Sequence, residues 1–249
     1  MGIVKEIMYF DQPDRKNTDE LIPFAIKRMR DVGVKNVVVV WSSGYTVRKF
    51  LEVIGKDKAG LNIVAVTNPS PHSISRGVMP VVITARDNAQ QRKMKEEQLK
   101  KGITEVTTTI SDEVKAELES KGCKVCYLND DLMLGEPLAL GKENTGRRAR
   151  LIPFGVGPHI RPLDIDAGAD LSPFTTISQG FRVAVGCTVL AVKYGCIPEG
   201  ELTLAIAGRS TGIILRAGGR PKTTIVKEIL SFERGSSHFE RDPEHPDGD

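Results

Sequence analysis

The sequence has no apolar run long enough to span a membrane, and its N-terminal stretch contains no apolar signal region. A cytoplasmic protein with no membrane partner is therefore expected. It has no excess of either charge. Thirty-five Lys and Arg stand against 32 Asp and Glu, a formal net charge of +3, which gives no reason to expect a nucleic-acid partner. Histidine is scarce, and His72, His159, His238 and His245 show no metal-ligand spacing. Cysteine is scarce too. Cys123 and Cys126 make a Cys-x-x-Cys, but Cys-Lys-Val-Cys-Tyr-Leu reads as a strand. Residues three apart on a strand face opposite sides, so neither a metal site nor a redox pair is expected there. Cys187 and Cys196 flank an apolar helix and read as core residues. No Gly-Lys-Ser/Thr of a Walker loop, no nucleophile elbow and no His–carboxylate pair can be read. Internal repeats are also absent.

What is present is organised around residues 36–51. Val37 to Val40 are four consecutive β-branched residues, suited to a strand buried on both faces of a parallel sheet. Val47, Phe50, Leu51 and Ile54 then recur at the spacing of one helical face, and Gly55 is a C-terminal stop. Between strand and helix lies Ser42-Ser43-Gly44-Tyr45-Thr46. Gly44 allows close backbone approach, the first helical N–H groups lack intrahelical partners, and Ser42, Ser43 and Thr46 carry hydroxyl donors. This is the chemistry of an anion cradle. The plainer alternative is a capped helix with a tight turn at Gly44.

The remaining chain alternates strand and helix patterns. Residues 3–10 read as an edge strand. Asn17 and Glu20 have capping-box spacing before a helix whose apolar face is Leu21, Ile22, Ala25, Ile26 and Met29, with Pro23 either in a first turn or at a kink. Residues 62–67 form the next strand, ending at Thr67 and Asn68. Strands are expected at 78–84 and 103–109, with a very polar helix at 86–101 between them. Ser111 caps a helix to Gly122, and a strand follows at 123–128. Residues 129–175, rich in Gly and Pro, carry Arg147, Arg148 and Arg150, which either reach an anionic ligand or are solvated. A nearly all-apolar helix runs from Ser178 to Gly195 and is expected to be buried or to lie in a homo-oligomer interface. A strand at 202–207 enters a second polar loop, Gly208-Arg209-Ser210-Thr211-Gly212, before strands at 213–217 and 224–232. Together these predict one α/β domain over residues 1–233, a three-layer α/β/α sandwich with a mostly parallel sheet, and a polar, mobile tail at 234–249.

A strand, then Ser-Gly-x-Thr, then a helix, then Asn62-Ile63-Val64-Ala65-Val66-Thr67 resembles the C-terminal domain of pyruvate kinase. More closely, the chain resembles a small family of free-standing prokaryotic proteins with that fold. Tyr9-Phe10-Asp11-Gln12-Pro13 with Asn17-Thr18, Ser178-Gln179-Gly180-Phe181-Arg182-Val183 and Ala207-Gly208-Arg209-Ser210-Thr211-Gly212 carry this likeness over roughly two thirds of the chain. The resemblance implies that the Ser42–Thr46 loop holds a phosphate, that the 208–212 loop faces it, and that Asn17, Thr18 and Ser178 to Gly180 lie near. Two departures stand out. Thr67-Asn68-Pro69 replaces the Thr-His-His of relatives, leaving Thr67 and Asn68 as uncharged partners at a strand C-terminus. Ile213-Ile214 replaces an Ala-Asp-Thr run. The expected function is regulatory binding of a phosphorylated small molecule, with FMN a candidate cofactor and a sugar phosphate the next choice. The alternative is an enzyme acting on a phosphorylated or flavin-linked substrate, for which folding would have to gather Asp11, Lys49 and Arg209.

Overall fold

The computed structural model describes residues 5–11, 15–68, 70–72, 78–83, 89–107, 109–128 and 177–233. The valine run forms β2 (Asn36–Val40), and it is buried throughout. Its side chains alternate. Val37 and Val39 pack with Leu21, Ile22, Phe50, Ile54 and Leu118 on one face. Val38 and Val40 pack with Phe181, Val185, Val189 and Leu190 on the other. A run of β-branched residues with no polar member can only satisfy both faces this way.

Around β2 lie β1 (Met8–Phe10), β3 (Asn62–Thr67), β6 (Cys123–Tyr127), β7 (Leu202–Ala207), β8 (Thr211–Arg216) and β9 (Ile225–Glu233). They form one seven-stranded sheet in the order β1-β9-β8-β7-β2-β3-β6. The pairings β1–β9, β7–β2, β2–β3 and β3–β6 are parallel, and β8 runs antiparallel to both of its neighbours. The expectation of a mostly parallel α/β sheet therefore holds. Helices α1 (Arg15–Asp31), α2 (Tyr45–Ile54) and α4 (Asp112–Ser120) supply the residues of one face. Helix α5 (Gln179–Lys193) supplies the other. Its apolar residues are consumed in packing within one chain, so its composition supplies no separate motive for an interface between copies. No described helix is long and apolar enough to cross a membrane.

One expectation holds in part, and another is corrected. The strands near 78–84 and 103–109 form as β4 (Val78–Pro80) and β5 (Glu105–Thr107), with α3 (Ala89–Lys100) between them in sequence. They pair antiparallel with each other, outside the main sheet. Asn17 does not cap α1, because the helix begins two residues earlier at Arg15 and contains Pro23 within it. Arg147, Arg148, Arg150, His159, His238, His245 and the tail at 234–249 lie outside the described residues.

A fork of charge ties α1 to the sheet. Arg28 Nε and Nη2 donate to Glu228 Oε1 and Oε2 at 2.6 and 3.1 Å, and Lys5 Nζ donates to Glu228 Oε2 at 2.8 Å. Partial burial works to raise the Glu228 pKa, but the bonds from Arg28 and Lys5 outweigh it and leave it lowered. A lowered carboxylate pKa stabilises the fold above the unfolded value of about 4.3, and that contribution is lost as pH falls through the folded value. Glu228→Gln should therefore lower the urea midpoint at pH 7 and have a much smaller effect near pH 3. An equal loss at both pH values would show that the fork contributes no charge-dependent stability.

Candidate functional site

The helices that follow parallel strands in this fold begin where those strands end, so loops and helix N-termini gather at one edge. β2 has β3, its successor, on one side and β7 on the other. Open α/β sheets bind ligands outside the strand C-termini at such a switch point. The turn Ser42–Gly44 leaves β2 at this place, and the turn after β7 lies beside it.

Gly44 is the residue before α2 and has φ 80°, the left-handed region. The first intrahelical bond is Arg48 N–H to Gly44 O at 3.1 Å, so the amides of residues 45–47 precede the helix ladder. Ser42 and Ser43 are exposed and Thr46 is half-buried. Close backbone approach to a ligand is the role expected of Gly44, and the structure adds a packing reason for glycine at this position. A Cβ there would meet Trp41 Cη2 at 2.4 Å and Arg48 Nη1 at 2.6 Å. The buried Trp41 ring fills that side, and the Arg48 guanidinium lies 5.3 Å from its centroid. Arg48 thus brings a positive charge against the turn, although Glu117 shares it at 3.2 Å. Neither Trp41 nor Arg48 was singled out by the sequence, since their meeting depends on the turn's conformation.

The second loop is shorter than expected. Ala207 pairs with Thr211, so Gly208, Arg209 and Ser210 alone make a hairpin turn, while Thr211 and Gly212 are buried in β8. Gly208 and Arg209 are exposed. The two turns touch, because Thr46 Oγ1 donates to Gly208 O at 3.2 Å. That bond commits the hydroxyl hydrogen of Thr46, which the sequence reading had given to a ligand.

Asn17 and Thr18 arrive from α1. Asn17 Nδ2 donates to Ser210 Oγ at 3.1 Å, and Thr18 Oγ1 donates to Arg209 O at 3.0 Å. Ser210 Oγ donates in turn to Glu233 Oε1 at 2.8 Å. Glu233 is a support that no local pattern marks. Ser178 caps α5, accepting from Phe181 N–H at 3.0 Å. Gly180 brings that helix start against the hairpin, since a Cβ on it would lie 2.2 Å from Thr211 Oγ1. Gln179 beside it is half-buried. Thr67 and Asn68 are buried at the end of β3, with Asn68 O accepting from Thr109 Oγ1 at 3.2 Å. They lie inside this edge and not on its surface.

The proposed groups differ in exposure, with Tyr45, Thr46, Gln179 and Gly180 half-buried between the extremes. Ser42, Ser43, Gly208 and Arg209 face solvent. Asn17, Thr18, Ser178, Ser210 and Thr211 are buried supports. At the rim, Tyr45 OH donates to Asp19 Oδ1 at 2.6 Å, and Lys49 Nζ reaches Glu52 and Asp19 at 3.3 and 3.8 Å. The Lys49 ammonium is held above its ordinary pKa chiefly by its bond to Glu52. One His–carboxylate pair escaped the sequence reading: His72 Nε2 lies 2.5 Å from Asp112 Oδ2 at the start of α4. Forty residues separate the two, so spacing could not reveal them. Among the described residues no group of three or more His, Cys, Asp or Glu could hold a metal ion. No family model matches the chain.

Proposed function

We propose that the protein binds a phosphorylated small molecule at the edge formed by residues 42–46 and 208–210, as a sensor or regulatory protein. The observation that carries this reading is the Thr46–Gly208 contact, which joins a helix-start turn to a turn bearing an exposed arginine. The amides at the start of α2 and the adjacent Arg48 favour an anion. In this reading Ser42 and Ser43 donate to its oxygens, and Arg209 closes over it. The likeness to the pyruvate kinase C-terminal domain supports the same reading, because that domain is regulatory and uses the corresponding loop for a phosphate. A nucleotide monophosphate such as FMN suits one phosphate end and one flat end, and a sugar phosphate is the next choice.

Calorimetric titration with FMN, riboflavin and a hexose phosphate tests this directly. FMN binding without riboflavin binding would assign the affinity to the phosphate. Ser43→Ala and Arg209→Ala should each weaken that binding about tenfold or more, since one charge-assisted hydrogen bond contributes about 1.5–3 kcal/mol and about 1.4 kcal/mol is a decade. Unchanged affinity in both variants returns the turn to a helix start with no ligand. Mass spectrometry of the denatured protein would identify a co-purified phosphate ester.

The second reading is an enzyme acting on a phosphorylated or flavin-linked substrate. The His72–Asp112 pair favours it, because α4 begins on the same side of the sheet as α2. Turnover abolished by His72→Ala with phosphate-ligand affinity retained would support this reading over pure binding.

A further inference from the structure

The flank of α2, the turn after it and the end of α4 enclose a groove of about 420 Å³, a volume within the range of small-molecule sites. Arg48, Leu51 and Glu52 line it from one face of α2. Lys56 and Lys58 line it from the 3₁₀ turn Gly55–Lys58, and Lys121 from the C-terminal end of α4. Leu51 is buried and gives the groove an apolar floor.

The charge of this groove is one-sided. Four cations line it with one carboxylate, Glu52, which Lys49 engages at 3.3 Å. Glu117 answers part of the excess, because Lys121 Nζ and Arg48 Nη2 share its carboxylate at 2.7 and 3.2 Å. Lys58 Nζ donates to a neutral acceptor, the backbone oxygen of Lys121, so its charge stays uncompensated. Lys56 is exposed and has no ion pair among the described residues. Cations that follow helix C-termini complement the helix dipole, which accounts for Lys56, Lys58 and Lys121 one at a time. It does not account for Arg48, which stands in the first turn of α2, where the dipole opposes a cation. A cleft lined by one sign of charge focuses its field and concentrates ions of the other sign.

We propose that this groove binds a condensed phosphate chain, free or as the triphosphate of a nucleotide, at a place separate from the edge formed by residues 42–46 and 208–210. Length decides the class. Arg48 and Lys56 are eight residues apart, about 12 Å along a helix axis, so a single phosphate or sulfate meets only part of the set. A phosphate chain carries several charges in line and offers each cation its own oxygens. The guanidinium fork and the ammonium groups both suit those oxygens. Arg48 and Lys121 exchange their shared carboxylate for the ligand. Arg48 also lies 5.3 Å from the ring centroid of Trp41, the one tryptophan of the chain, so its engagement is visible in fluorescence.

The test is calorimetric titration of the full chain with tripolyphosphate, ATP and sulfate at matched ionic strength and without divalent metal. Tripolyphosphate should bind well above sulfate, weaken as salt is added, and change Trp41 fluorescence along the same curve. Lys56→Glu should weaken that binding about tenfold or more, since it reverses one charge of the groove. Lys56→Gln should weaken it less, and it serves if the first variant fails to fold. Ser43→Ala and Arg209→Ala should leave tripolyphosphate affinity unchanged, which separates this groove from the turn site read with FMN. ATP binding more tightly than tripolyphosphate would assign the chain to a nucleotide with its base on Leu51. The reverse order would assign it to the free chain, and either order supports the groove. No binding of either chain, affinity no better than for sulfate, a silent Trp41, affinity untouched in both Lys56 variants, or a loss produced by Ser43→Ala would each overturn the inference.

Discussion

Gly44→Ala should destabilise the protein by about 2–4 kcal/mol, one of the largest effects expected of any single methyl group in this chain. Two causes add. The left-handed backbone at φ 80° costs a non-glycine residue about 1–2 kcal/mol. The new Cβ would also fall 2.4 Å from Trp41 Cη2 and 2.8 Å from Cζ3. Arg48 can swing aside, being a long and exposed side chain, but the indole is only 6% exposed and packed in the core. Urea denaturation measures the loss. A double-mutant cycle separates the causes: in a Trp41→Leu background the penalty of Gly44→Ala should shrink to the backbone part alone. An unchanged midpoint for Gly44→Ala would mean that the turn relaxes at no cost, and the rigid-turn description would fail. Binding follows the same logic. A turn that relaxes displaces the amides at the start of α2, so phosphate-ligand affinity should fall with stability.

Gly180→Ala should also destabilise, although alanine is the better helix former. Alanine gains about 1 kcal/mol over glycine within a helix. Against this, the added Cβ would sit 2.2 Å from Thr211 Oγ1 and 2.9 Å from Thr211 Cβ. Thr211 is β-branched, in a strand and 1% exposed, so it cannot turn away. Overpacking of this kind costs about 1–3 kcal/mol or more, and it should exceed the helical gain. The sign should reverse when the obstacle is removed. In a Thr211→Gly background, Gly180→Ala should become stabilising. Urea midpoints of the four proteins decide the matter. A stabilising Gly180→Ala in the wild type would show that the α5 start is not pressed against the hairpin.

The Ser42–Thr46 turn was legible because both its flanks carry strong periodic signals. The hairpin was legible as a polar loop, but its end was not. Thr211 and Gly212 look like turn residues, and only the β7–β8 register places them in a strand. Asn17 shows the limit most clearly. A polar residue three positions before Glu20 satisfies the local rule for a cap. Its actual partner, Ser210, is 193 residues away.

The α/β class, the doubly buried β2, the apolar α5, and the opposed faces of Cys123 and Cys126 were all readable from residue order. Each rests on side-chain periodicity, which is a local property of the chain. Tertiary packing alone brings Trp41 and Arg48 against Gly44, Glu233 to Ser210, and His72 to Asp112. These are contacts across strand order and between loops, set by which elements neighbour one another in the sheet, and no spacing along the chain records that adjacency.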